Sequence, residues 1–241
     1  MQESVIALPF FLVVRLSSIT TKACSDFILL VIAPSILNML SVSTVMKRFA
    51  LGLVGANLVG ALDFPFLDNF NNATSLENWS VQGSWTVERQ QLKGTPIDSK
   101  DATAVINTEV ANFVFDADMT VTKGVAEGHS GFIFRAYSTQ NGPLFYAFRL
   151  WAAGEELNIQ HFNGTEDTLV SMRGSYSTDQ TVHVRITAVG PTLQVFVDDM
   201  DYAQLQFNDD RIVTGAVGFL VSEGGEAVYD NVELHLLETD G

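Results

Sequence analysis

The stretch Asn112-Phe-Val-Phe-Asp-Ala-Asp-Met-Thr-Val-Thr122 decides the fold class. Its apolar side chains fall at Phe113, Phe115, Ala117, Met119 and Val121, at every second position. A period of two puts all five on one face of a β-strand and leaves the other face polar. The same alternation recurs at Val182, Val184, Ile186 and Ala188, at Leu193, Val195 and Val197, and at Leu144, Tyr146, Phe148 and Leu150. Turn residues separate these runs, among them Gly94, Gly124, Asn141-Gly142, Asn163-Gly164, Gly190-Pro191 and Gly224-Gly225. No window carries an apolar stripe of helical period. The pattern predicts an all-β domain of about a dozen short strands, folded as a two-sheet antiparallel jelly-roll sandwich.

Composition narrows the function classes. The chain has 241 residues and is 47% hydrophobic, too apolar for a disordered or fibrous protein. It carries 28 acidic and 13 basic residues, a formal charge of −15. That balance argues against nucleic acid, whose phosphates need a basic footprint. A single cysteine, Cys24, excludes a disulfide framework and a cysteine-based zinc site.

The two ends of the chain differ. Residues 1–61 hold Arg15, Lys22, Lys47 and Arg48 against Glu3 and Asp26; beyond them, nine basic groups face 26 acidic ones, a net −17. Residues 46–61 have the grammar of a secretory signal. Lys47 and Arg48 form the basic start, Phe49 to Val59 the apolar run, and Val59-Gly60-Ala61 the small residues for cleavage after Ala61. Two explanations compete for residues 1–45. In the favoured one, Met46 is the true start and 1–45 is a gene-model extension. In the other, Phe27 to Leu40 is a membrane segment, although this run is interrupted by Pro34 and Asn38 and is shorter than the roughly 20 residues a span needs. The expected mature domain, 62–241, is therefore secreted, with no membrane segment of its own. Sequons at Asn72, Asn78 and Asn163 fit a secreted glycoprotein.

Function is expected on the outward-facing set. Phe145, Arg149 and Trp151 alternate with the apolar run Tyr146, Phe148 and Leu150. With Phe132 and Phe134 inside, Ile133, Arg135 and Tyr137 point out; with Leu157 and Ile159 inside, Asn158, Gln160 and Phe162 do; His183 and Arg185 point out from the strand of Val182. Arginines and aromatics on a face that should be plainly polar suit a sugar. Aromatic rings stack on the C–H face of a sugar ring, and planar guanidinium and amide groups hydrogen-bond adjacent hydroxyls.

Catalytic motifs are missing. His129, His161, His183 and His235 are scattered, and neither a Gly-x-Ser-x-Gly elbow nor a phosphate-binding loop occurs. The carboxylate pairs Glu155-Glu156, Asp198-Asp199 and Asp209-Asp210 read as solvated turns, because neighbours on a strand face opposite ways and cannot flank one glycosidic bond. Asp63 and Asp68 near the start of the domain and Asp230 near its end are candidate ligands for one structural calcium ion tying the first and last strands together.

The run Trp79-Ser-Val-Gln-Gly-Ser-Trp85, then Leu92-Lys-Gly94, resembles the opening hairpin of concanavalin A-like sandwich modules. Gly128-His-Ser-Gly-Phe-Ile-Phe-Arg135, followed by Tyr146, resembles their central strand pair, and Gly215-Ala-Val-Gly-Phe219 with Val228-Tyr-Asp-Asn-Val-Glu-Leu234 completes the order. Among such modules the chain most resembles the levan-type carbohydrate-binding modules attached to glycoside hydrolase family 32 enzymes, with laminin-G-like and keto-disaccharide-hydrolase-like domains as near neighbours. The resemblance implies polysaccharide binding on one sheet or its rim, fructans included. It carries Arg135 and Tyr146 over as ligand-binding positions beside Tyr137, Arg149, Trp151 and Arg185, although alternation turns Tyr146 inward. It also implies a structural calcium near Asp230 in some members. The Glu-x-Asp-x-x-Glu strand of sandwich-fold glucanases and the Trp-Met-Asn-Asp-Pro nucleophile region of fructan hydrolases are both missing. The expectation is a non-catalytic lectin-like module. The rivals are a glycan-active hydrolase or lyase on the same fold, an accessory part of a family 32 enzyme, and a secreted protein-interaction domain.

Overall fold

In a computed structural model, the described residues are 62–72, 74–98, 100–123, 129–152, 155–198 and 200–238. The expected extension 1–45 and signal 46–61 lie outside them. Fifteen strands are described, in chain order β1 (Phe66–Asp68), β2 (Trp79–Gln82), β3 (Ser84–Glu88), β4 (Gln91–Thr95), β5 (Ala102–Ile106), β6 (Phe113–Lys123), β7 (Ser130–Thr139) and β8 (Gly142–Trp151), followed by β9 (Glu156–Phe162), β10 (Glu166–Arg173), β11 (Thr181–Val189), β12 (Thr192–Val197), β13 (Leu205–Asn208), β14 (Ala216–Val221) and β15 (Glu226–Leu236). No described helix is long and apolar enough to cross a membrane.

The strands form two antiparallel sheets, as the alternation predicts. The first runs β13-β12-β11-β6-β15-β4-β3, with β1 also pairing β15. The second runs β10-β9-β8-β7-β14-β5-β2. The core between them is built from the alternating sets: Phe113, Phe115, Ala117, Met119 and Val121 of β6 are all at most 5% exposed, and Val182, Val184, Ile186 and Ala188 of β11 at most 2%. Phe219 lies at the centre, stacked on Tyr229 (4.0 Å between ring centroids) and on Trp79 (5.2 Å). From the first sheet, the Tyr229 hydroxyl crosses the core toward the carbonyls of Leu220 (2.8 Å) and Gly131 (3.1 Å) in the second. Burial pushes that hydroxyl far above its usual pKa, so it stays a neutral donor.

The first and last strands pair, Phe66 opposite Leu234 and Asp68 opposite Val232, as the calcium argument anticipated for the backbone. The pairing rests on the ladder and on burial of Phe66 and Val232.

Two predicted directions reverse, those of Arg135 and Tyr137. Between Phe134 and Tyr137 the β7–β8 register shifts, and Arg135 takes a positive φ of 51°. A bulge inserts one residue and re-aims the side chains that follow it. Arg135 therefore turns inward and is fully buried. The chain passes so closely here that a side chain on Gly215 would lie 2.4 Å from the Arg135 carbonyl carbon, which is why that position is glycine.

Candidate functional site

The outer face of the second sheet is not ordinary polar surface. Ile133, Phe145, Ala147 and Leu220 form a small second apolar cluster there, with Phe162 packed against it. Phe145 and Phe162 stack with centroids 4.8 Å apart and planes at 13°. Beside this apolar end, β8 and β9 bring together a polar set, with Arg149 opposite Asn158, Ala147 opposite Gln160 and Trp151 opposite Glu156. Arg149, Asn158 and Gln160 are 3%, 4% and 8% exposed.

These buried groups are only partly paired. Arg149 Nη2 meets Glu166 Oε1 of β10 at 2.7 Å. Asn158 Nδ2 donates to Glu156 Oε1 (3.2 Å), and Gln160 Nε2 donates to Thr168 Oγ1 (3.3 Å). Four buried atoms have no partner: the donors Arg149 Nε and Trp151 Nε1 on β8, and the acceptors Asn158 Oδ1 and Gln160 Oε1 on β9. Buried polar groups are normally satisfied, because leaving one unpaired costs about 1–3 kcal/mol. Here a row of donors runs beside a row of acceptors, about 5 Å away across one strand spacing. A hydroxyl both donates and accepts, so a compound with adjacent hydroxyls can satisfy the two rows together.

The electrostatics concentrate at the same place. Burial raises the Asp101 carboxyl and outweighs the opposing pull of Arg149. Burial and the Arg149 charge hold His129 below its usual range, so its ring, 5.5 Å from that of Trp151, is neutral at pH 7. Asp101 and Glu166 thus flank Arg149, and Glu156 stands between Trp151 and Arg173.

Of the six expected ligand-binding residues, only Arg149 and Trp151 stand on this face. Arg135 is corrected to a structural role: its Nη1 donates to Ile212 O (3.0 Å), and its Nη2 to Ala111 O (3.0 Å) and Gly190 O (2.6 Å), tying three loops. Tyr146 is likewise internal, donating to Asp209 Oδ1 at 2.6 Å. Tyr137 is exposed, but beyond the bulge it pairs with Leu144 and so stands on the core side of the sheet, at its rim. Arg185 lies on the first sheet, opposite Asp116 across β6 and β11, and its Nε donates to Asp116 Oδ1 at 2.6 Å. Asp116 also accepts from His183. Burial favours protonating Asp116, yet these bonds outweigh it and hold the carboxyl below its usual range. Arg185 therefore cannot share a ligand with Arg149 across the sandwich.

The three aspartates proposed for calcium do not converge. Asp68 Oδ1 accepts from Phe70 N (2.9 Å) and Oδ2 from Trp79 Nε1 (3.1 Å), so both oxygens are committed. Asp230 Oδ1 accepts from Asn231 N (2.8 Å), and Asp63 is exposed ahead of β1. Among the described residues no group of three or more His, Cys, Asp or Glu is placed to hold a metal. Asp209 is not a solvated turn residue either, since Tyr146 and Arg211 both bond to it. Of the sequon asparagines, Asn72 and Asn163 are exposed and Asn78 is half-buried.

Sequence reasoning placed Asn158 and Gln160 on the outward face without naming them as site residues. It missed Asp101, His129 and Glu166, whose signal is only spatial. Glu156, read as part of a turn, stands on the face beside Asn158.

Residues 66–235 match the 3-keto-alpha-glucoside-1,2-lyase-like domain. The chain belongs to that family. A levanase of a Bacillus species is 28% identical over 155 residues, 64% of this chain and 16% of the levanase, so the chain spans a small part of that relative's length. The carbohydrate binding module CBM66 from Bacillus subtilis superposes with a TM-score of 0.58 at 19% identity, covering 66% of this chain and 95% of the module. A xylan beta-1,4-xylosidase from Bacillus halodurans superposes with a TM-score of 0.57 at 12% identity, covering 72% of this chain and 39% of the enzyme. At these identities the likeness is one of fold. The 3-keto-alpha-glucoside-1,2-lyase-like domain described here has the concanavalin A-like sandwich of a carbohydrate-binding module, an architecture also present within glycosidases.

Proposed function

We propose that the chain is an exported, non-catalytic carbohydrate-binding domain that holds a polysaccharide, fructans included, on the outer face of its second sheet. The observation that carries this reading is the unpaired donor row of Arg149 and Trp151 beside the unpaired acceptor row of Asn158 and Gln160. Sugar hydroxyls complete both rows, and the Phe145–Phe162 stack offers an apolar neighbour for the ring's C–H face. Membership of the family, the similarity to part of a levanase and the shared sandwich of a carbohydrate binding module support the sugar as the ligand class. Export rests on the signal-like residues 46–61 and on the exposed sequons at Asn72 and Asn163.

The test is a pull-down of the full chain on insoluble levan, inulin and xylan, repeated with Asn158→Ala and Gln160→Ala. Retention on one polymer, weakened roughly 5- to 100-fold by each substitution, is the expected result. Undiminished retention of both variants places the ligand elsewhere.

A second reading is a glycan-active enzyme on the same face. It is favoured by one observation, the raised carboxyl of Asp101 within electrostatic reach of Glu166, Arg149 and the neutral His129. A raised carboxyl beside an ionised one is how sites assign acid and base roles. New reducing ends, or an unsaturated product, released by the wild type and not by Asp101→Asn would establish it.

A further inference from the structure

Among the described residues Arg149 is the buried cation of this face; the exposed Arg173 of β10 stands opposite Glu156 at its edge, and three carboxylates face these two arginines. Glu166 pairs with Arg149 directly, at 2.7 Å. Asp101 interacts with both Arg149 and Glu166, while Glu156 lies opposite Trp151 and accepts from Asn158. His129 contributes no charge at pH 7, its ring held below its usual range by partial burial and the Arg149 charge. The buried polar atoms left unpaired on the two central strands are two N–H donors and two amide oxygens, all of them matched by hydroxyls. Asn158 Oδ1 and Gln160 Oε1 are acceptors and repel a carboxylate or sulfate oxygen as neighbours. An anionic group would also have to displace Glu166 from Arg149, then remain near Asp101 and Glu156 in a buried setting, where like charges are costly.

We propose that this face selects uncharged sugar chains and rejects carboxylated or sulfated ones, Glu166 and Asp101 serving as the rejecting groups. The inference rests on the carbohydrate-binding reading above.

The experiment compares each neutral polymer with its own carboxymethyl derivative at matched chain length. Levan, inulin and xylan are titrated into the full chain by calorimetry at pH 7, in low and in high salt. The expected result is that the neutral polymer binds at least tenfold more tightly than its carboxymethyl form. Glu166→Gln and, separately, Asp101→Asn should each narrow that gap about threefold or more. Glu88→Gln, an exposed carboxylate on β3 in the other sheet, controls for general repulsion by an acidic protein and should leave the gap unchanged. The two site variants lie on different strands, so misfolding of one leaves the other to decide. Equal or tighter binding of the carboxymethyl polymer overturns the selection while leaving the carbohydrate reading intact. A gap that Glu88→Gln narrows as much as the site variants do also overturns it. Failure of every polymer to bind the wild type removes the carbohydrate reading, and the selection with it.

Discussion

Tyr146 donates to Asp209 Oδ1 at 2.6 Å, and the backbone N–H of Ile212 donates back to the same hydroxyl at 3.2 Å. A core residue of β8 is thereby fastened to the segment between β13 and β14. Burial alone would raise the Asp209 carboxyl, but the bonds from Arg211 and Tyr146 outweigh it and hold the group at about 2. An unfolded aspartate titrates near 3.9, so the folded state binds its proton less readily. This contribution to stability is complete above about pH 4 and is lost as pH falls toward 2. In urea unfolding at pH 2, 3, 4 and 7, Asp209→Asn should be less stable than wild type at pH 7 and flatter between pH 4 and 2. Parallel profiles for the two proteins would remove Asp209 from the acid limb.

Arg135 distinguishes structure from recognition. Arg135→Met keeps most of the side-chain volume and removes the donors to three loop carbonyls, leaving them buried and unpaired. A loss of roughly 3–5 kcal/mol is expected, seen as a fall in Tm of about 6–20 °C for a domain of this size. Affinity for the polysaccharide in the remaining folded protein should be unchanged. A loss of affinity with little loss of stability would restore Arg135 as a ligand contact.

Gly131 lies beside Arg149 in register. A Cβ there would sit 1.9 Å from the Phe148 carbonyl oxygen, and the obstacle is backbone that cannot swing aside. Gly131→Ala must therefore push β7 and β8 apart where the donor row begins. We expect a loss of about 3 kcal/mol or more, together with weakened sugar binding. Wild-type stability by thermal unfolding would contradict the close approach of the two strands.

The unpaired amide of Gln160 predicts opposite effects on stability and binding. Gln160→Met has a similar volume and leaves no unsatisfied carbonyl oxygen. Thermal stability should rise, by about 1 kcal/mol, while affinity for the polysaccharide falls about tenfold. Sites held ready for a ligand commonly cost their protein stability in this way. If stability and affinity fall together, Gln160 is a packing residue.

Much of the sandwich was legible because the pleat imposes a period of two. Phe113 to Val121 and Val182 to Ala188 needed only that period to be placed inside. Arg135 was misplaced because one extra residue between Phe134 and Tyr137 reverses the alternation, and a non-glycine residue with positive φ leaves no mark in the sequence. Arg185 and Arg149 look equivalent as outward arginines, yet strand order puts them on different sheets. Asn158 and Gln160 were correctly turned outward. Their significance is a missing partner, which is a property of the neighbourhood and cannot be read along the chain. The same holds for Asp101 and Glu166, 65 positions apart in sequence and brought together around Arg149.

The register of β1 against β15 sets Phe66 opposite Leu234, so the polypeptide enters and leaves this fold side by side, on the sheet that does not carry the proposed sugar face. Such a body can hang from a single anchorage with its working side turned away. The geometry suits a detachable head: joined to another polypeptide at either end, or spliced into one with both ends connected, it keeps the same presentation. A circular permutant with its old ends bridged by a short linker, and new ones opened at the Asn163-Gly164 tip, should fold and keep the sugar face intact.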